Sequence, residues 1–375
     1  MRKLPALGLV LGSALLASPA AMGAATVYPS ATTGTVAPAS GSPTSRSATA
    51  QSPAARPHGV RRIPRHLGAA AVPATGAPRV AGSAVAPAPG SLLANFNGVG
   101  SRDSADTNFG AEFEPPDQGL CVGNGYVVEM TNSAYTVYRP NGSKVTGPFN
   151  VNGPFDEGLI EFTSDPRCHY DPATHTWYAV ILFLNAAFDQ STIDVSVNNT
   201  GDPTKIWKTY KIDTTAKNGH GHSGCPCFGD QPTLGIDNFN LYVTTNEFSI
   251  LGPEFNGAQV YAFAKPDLVA EDPVHFVHFD NLSIGGAPAN SIQPALTNGN
   301  PGAEFFLSSL DPNGTFDQRV GVWAMGNRSA VARGGVPTLS STVISSEAYG
   351  IPPSAEQKGS ASPIDSGDDR MQQTQ

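Results

Sequence analysis

The chain has 375 residues, with 22 Lys and Arg against 31 Asp and Glu, a formal net charge of −9, 33 prolines and 40 glycines. That acidic balance speaks against a nucleic-acid partner, because phosphate binding needs clustered Lys and Arg. Past the first residues no run approaches the roughly 18 apolar residues a membrane-spanning helix needs, so no span is expected.

In chain order, residues 1–25 read as a secretory signal peptide. MRK supplies the positive start, LPALGLVLGSALLA the apolar stretch, and SPAAMGAA the small residues at a cleavage site. A secreted protein, free or associated with a cell wall, is expected. Residues 26–90 are dominated by Ala, Pro, Ser, Thr and Gly and read as a disordered linker, because so few large apolar groups cannot offset the ordering entropy. Residues 1–95 hold eight Lys and Arg and no acid, which leaves 14 basic residues against all 31 acids in the rest of the chain. The basic RRIPRH at 61–66 fits a solvated linker charge better than a processing site.

From 91 to 350 the sequence reads as one all-β domain. Short β-rich runs such as YVVEMTN, TWYAVILFL, STIDVSV, LYVTTNEF and RVGVWAM alternate with Gly, Pro, Asn and Asp. Self-comparison selects among the all-β architectures. GDQPTLGIDNFNLYVTTN (229–246) aligns with SIQPALTNGNPGAEFFLSS (291–309), and PPDQGLCVGNGYVVEMTN (115–132) and SDPRCHYDPATHTWYAVIL (164–182) fit the same frame. Steps of about 48–65 residues suit the four-stranded blades of a β-propeller better than a sandwich.

LANFNGVG, EFEPPDQGLCVGNGYVVEMTN, VSVNNTGDPTKIWKTYKID and CFGDQPTLGIDNFNLYVTTNEF together resemble secreted bacterial β-propellers of the sialidase-like group. The resemblance runs over about residues 93–371 and is specific for architecture, not for activity. It implies four blades, with SGDDRM (366–371) opening a fifth, so 351–375 reads as a polar tail or the start of a blade in a chain cut short.

The fold suggests sialidase chemistry, which needs three arginines clamping one carboxylate. Arginines beyond the linker are few: 102, 139, 167, 319, 328, 333 and 370. The adjacent acids Asp156–Glu157, Glu271–Asp272 and Asp368–Asp369 point to opposite faces of a strand and read as solvated surface. No GxSxG elbow is present. No catalytic residue is therefore assigned. The candidate ligand-binding residues are the polar groups at blade entries, Asp117, Asp165, Asp230 and Asp369, with Arg167 and Arg370 beside them. Ringing one channel mouth, they would bind a ligand or hold Ca2+ through carboxylate oxygens; capping of strand-entry N–H groups is the competing reading. No other cofactor is indicated. In HGHSGCPCFGDQP (220–232), His220, His222, Cys225 and Cys227 offer four metal donors, but the spacing is unusual for zinc, and export favours oxidation. Cys121, Cys168, Cys225 and Cys227 are expected in two disulfides, with the pairing left open. The function expected is an exported, non-catalytic module binding an extracellular carbohydrate or protein; a glycosidase and a structural cell-wall protein are the alternatives.

Overall fold

Four successive antiparallel sheets carry the apolar runs. Blade 1 comprises strands Gly119–Gly123, Tyr126–Met130, Ala134–Tyr138 and Lys144–Asn150, and blade 2 Phe162–Asp171, Thr176–Leu184, Ser191–Asn198 and Trp207–Asp213. Blade 3 comprises Cys227–Ile236, Asn240–Ser249, Phe255–Ala264 and Val274–Phe279, and blade 4 Gln293–Pro294, Glu304–Ser309, Asp317–Gly326 and Thr338–Tyr349. Each sheet runs first strand to fourth in sequence order, and the first strands lie side by side around a channel, with Ile236 bridged to Leu296 across one seam. The chain is a β-propeller. The computed structural model describes residues 25–28, 31–41, 61–62, 92–114, 116–216, 222, 224–297, 299–310 and 316–350, with short pieces between 353 and 363. The expected signal peptide up to residue 24, the linker beyond residue 41 apart from 61–62, and the expected fifth-blade residues Asp369 and Arg370 lie outside them.

Unbroken apolar strands follow from burial on both faces. In TWYAVILFL, Trp177, Ala179 and Ile181 pack into the core shared with blade 1, beside Met130, Tyr135 and Phe155. The alternate residues Tyr178, Val180 and Leu182 join the core that continues through blades 3 and 4. A strand with period-2 side chains thus feeds two inter-blade cores, and no polar face is needed.

One expectation fails. Residues 26–41, taken as linker, form three short strands that extend the outer edges of three blades. Thr26–Tyr28 pairs with the fourth strand of blade 4, Thr32–Val36 with that of blade 3, and Ala39–Gly41 with that of blade 2. Apart from Tyr28 and two prolines the segment holds only Thr, Val, Ser, Ala and Gly, which suffices because an added edge strand is held by backbone hydrogen bonds, not by a core. Two side-chain features fix it. The Tyr28 ring stacks on Trp323 at 5.5 Å and its hydroxyl donates to Ser283 O. At Gly34 a Cβ would come within 2.6 Å of the Phe276 ring, so only glycine lets that ring cross the strap.

At the far end of each inner strand, the turn side chain reaches the link between third and fourth strands of the next blade. Asn124 Nδ2 donates to Gly201 O at 2.8 Å. Asp171 pairs with Lys265 at 2.6 Å, and Asp237 pairs with Arg328, all four groups being buried. Burial alone would raise the Asp171 carboxyl, but Lys265, Thr174 and the Ala173 N–H together hold it below the usual range. The Cys121–Cys168 disulfide joins the inner strands of blades 1 and 2 between these two ends, and Cys225–Cys227 forms the second bridge.

Candidate functional site

Each inner strand is entered through a residue in the left-handed backbone region: Asp117 (φ 35°), Asp165 (φ 58°), Gln231 (φ 47°) and Ser291 (φ 42°). Non-glycine residues reach that region at a cost that local hydrogen bonds must offset. Asn132, closing the second strand of blade 1, provides several. Its Oδ1 accepts from Asp165 N at 2.8 Å and from Ser164 Oγ at 3.3 Å, and its Nδ2 donates to Asp117 Oδ2 at 2.7 Å. Asn246 repeats part of this in blade 3, accepting from Ser291 N at 2.9 Å and donating to Ser291 Oγ at 2.7 Å.

Asp117 and Asp165 therefore occupy equivalent places, and their carboxyl groups are close enough to act on one another. A neighbouring like charge disfavours the ionised form of a carboxyl. Burial, then the charge of Asp165, pushes Asp117 up to about 7. Burial and the charge of Asp230 raise Asp165, which also accepts from Ser164 Oγ at 3.1 Å and from Gln231 N at 3.2 Å. Asp165 is buried, while Asp117 is partly open to solvent.

Asp230 lies one residue off the expected frame. The bulge after Ser164 matches the bulge after Asp230, so Asp230 corresponds to Ser164 and Gln231 to Asp165. The matching Gln-Pro at 231 and 293 conceals a slip of two residues, since the left-handed entry of blade 4 is Ser291. Asp230 acts on the pair through its charge on Asp165.

A cavity of about 460 Å3 runs along the channel, lined by Gln118, the next residue after Asp117, and by Arg167, two residues after Asp165. Gln118, Arg167, His169, Thr233 and Gln293 give it polar lining, and Leu120, Val122, Leu234 and Leu296 give it apolar faces. Arg167 Nη1 donates to Gln118 O at 3.0 Å, tying blade 2 to blade 1, and its charge favours the ionised forms of both aspartates. Of the described arginines, Arg167 lines this cavity, whereas Arg328 is buried on Asp237, Arg319 is bound to Asp317, and Arg139 lies over the Tyr126 ring. The three-arginine clamp of a sialidase is not assembled at this cavity by the described residues.

Asn132, Gln118 and Gln231 escaped sequence reasoning. The recurrence of Thr-Asn at 131–132 and 245–246 was the available signal. One surface assignment is corrected: Glu157, expected to be solvated, is buried against Lys211. Next to it Asp194 is wholly buried and raised well above the carboxylate range, by burial first and then by Glu157.

No protein-family model and no curated protein matches the chain. Among solved structures it is similar to an exo-β-1,3-galactanase from Phanerochaete chrysosporium with galactose, at 9% identity and a TM-score of 0.33, over 59% of this chain and 49% of that one. It is also similar to a GH43 endo-arabinanase from Bacillus licheniformis (11% identity, TM-score 0.31, 59% and 76% of the two chains). A third is the GH43_1 enzyme from Xanthomonas citri complexed with xylotriose (11% identity, TM-score 0.28, 61% and 86%). The chain spans about half the length of the first of these. At TM-scores this low, fold and site rest on the chain's own sheets and side chains.

Proposed function

We propose that the chain is an exported, carbohydrate-acting propeller in which Asp117 and Asp165 serve hydrolysis of a glycosidic bond. The observation that carries this reading is the pair of neighbouring carboxyls with Asp117 pushed up to about 7, next in sequence to Gln118, which lines a 460 Å3 cavity. A leaving sugar oxygen needs a proton donor that is still protonated near neutrality, and paired carboxyls with separated protonation states supply one. Asp117, the more open member, is the donor in this reading; burial first and then the charge of Asp165 hold the proton on it. The cavity suits a sugar, offering Gln118, Arg167, Thr233 and Gln293 to hydroxyls and Leu120, Val122, Leu234 and Leu296 to the C–H faces.

Arabinan and β-1,3-galactan oligosaccharides and xylotriose, named with the similar structures, make the first test panel. Release of reducing sugar is expected, falling as pH rises past about 7, and Asp117→Asn is expected to lower kcat by about 10²–10⁴-fold. Release left intact by Asp117→Asn would refute the assignment.

A second reading, binding without turnover, is supported by the same hydrogen bonds: Asn132, Ser164 and Gln231 N already engage the pair as a stitch between blades 1, 2 and 3. Calorimetric binding of one of these oligosaccharides with no product formed would favour it.

A further inference from the structure

We infer that Cys225, Cys227 and Glu247 form a zinc site that the Cys225–Cys227 disulfide keeps closed. Among the described residues these three alone form a group of metal-ligating side chains, their two sulfurs and a carboxylate oxygen all lying within 4.8 Å of one another. The site is distinct from the channel pair and does not depend on the proposed hydrolysis.

The sheet places the donors. Cys227 begins the inner strand of blade 3 opposite Ser249, so Glu247, two residues back along the second strand, projects from the same face. Cys227 is completely buried and Glu247 is 6% exposed. The loop carrying Cys225 is pinned at both sides: Cys227 N donates to Thr215 O at 3.0 Å, Ile250 N to Pro226 O at 2.8 Å, and Ser249 Oγ to Gly224 O at 2.6 Å. A purely structural disulfide does not call for a buried carboxylate against its sulfurs, where both are electron-rich. Here one amide serves both: Asn256 Nδ2 lies 3.0 Å from Glu247 Oε1 and 3.5 Å from Cys227 Sγ. Outer partners of this kind orient ligands and stabilise anionic donors in metal sites. His222 Nδ1 contacts the same Glu247 oxygen, which puts a fourth donor at the edge of the group.

Opening the site takes two electrons and two protons from a dithiol, which leaves as its own disulfide while Cys225 and Cys227 become thiols. Zn2+ then displaces both thiol protons and binds two thiolates and the Glu247 carboxylate, with His222 or water in the fourth position.

The test is competition for Zn2+ between a chromophoric chelator and the metal-free full-length chain, either oxidised or reduced with a phosphine. One Zn2+ per reduced chain is expected and none per oxidised chain, and Co2+ in its place should give a thiolate charge-transfer band in the near ultraviolet. Cys227→Ser should abolish uptake, although the phosphine also frees Cys121 and Cys168. Glu247→Gln, which keeps size and hydrogen bonding, should weaken uptake about tenfold or more. Circular dichroism of both variants distinguishes loss of the site from loss of the fold. Failure of the reduced wild-type chain to take Zn2+, or uptake that Cys227→Ser and Glu247→Gln leave unchanged in folded protein, would overturn the inference.

Discussion

At the entry of the blade 2 inner strand, Asp165 is buried against another carboxyl, Asp117; at the exit of the same strand, Asp171 is buried against the ammonium of Lys265. Blade 3 repeats the exit arrangement with Asp237 and Arg328. One residue type under similar burial thus has two fates. Where the next blade supplies a cation, the carboxyl pairs with it as a latch, and Asp171 is held below the usual carboxylate range. Where it supplies a second carboxyl, burial and like charge keep a proton in place. An ion-pair latch holds a seam, whereas a retained proton near neutrality is costly and makes a carboxyl a functional-site candidate.

The comparison can be broken first at the exit. Arg328→Met strands the Asp237 carboxylate in the interior and should cost about 3–5 kcal/mol in denaturant unfolding, with Asp237→Asn in the same chain restoring part of it. Removing the bridge between the two ends, by Cys121→Ser with Cys168→Ser, should cost about 2–4 kcal/mol in the same measurement. At the entry the sign reverses: Asp165→Asn relieves a buried like-charge contact, so at pH 8 it should unfold at higher denaturant than the wild type.

The pH dependence sharpens the contrast. Asp117 is raised from 3.8 to about 7 in the folded chain, so its stabilising contribution is complete below about pH 4 and is lost as pH rises towards 7. Glu304, raised from 4.5 to about 8 by burial and then Asp237, adds to the decline at somewhat higher pH. Asp171 is lowered, so its contribution is present above 3.8 and is lost as pH falls below that. The Asp117→Asn unfolding profile should lack the decline between about pH 4 and 7 and keep the acid limb, so its difference from the wild-type profile isolates the Asp117 contribution. The smallest effect is expected from Asp230→Asn, which changes only a charge acting on Asp165 and should move the turnover profile slightly.

Much of the architecture was legible because the blades repeat a pattern that physics makes visible: a polar entry, a tight turn and a strand apolar on both faces. TWYAVILFL announces a doubly buried strand, and the entry aspartates 117 and 165 were found from the same frame. Asp230 was misplaced by one because a bulge and a left-handed residue change strand register without altering composition. The Lys265 and Arg328 latches were invisible, since each partner sits in a connection with no periodicity and is matched to its aspartate only in space. The strap at 26–41 was missed for a different reason. Edge strands held through their backbone need no large apolar side chains, so composition resembled a linker.

That strap also orders events in time. Tyr28 shares a hydrogen bond with Ser341, 313 residues away, and the strap visits blades 4, 3 and 2 in the reverse of their order of synthesis. The strap, made before any of these blades, thus finds its outermost partner only when the fourth blade is complete. Closure at so long a sequence separation is entropically slow, so the strap should join last, as a hoop drawn around blades that have already stacked.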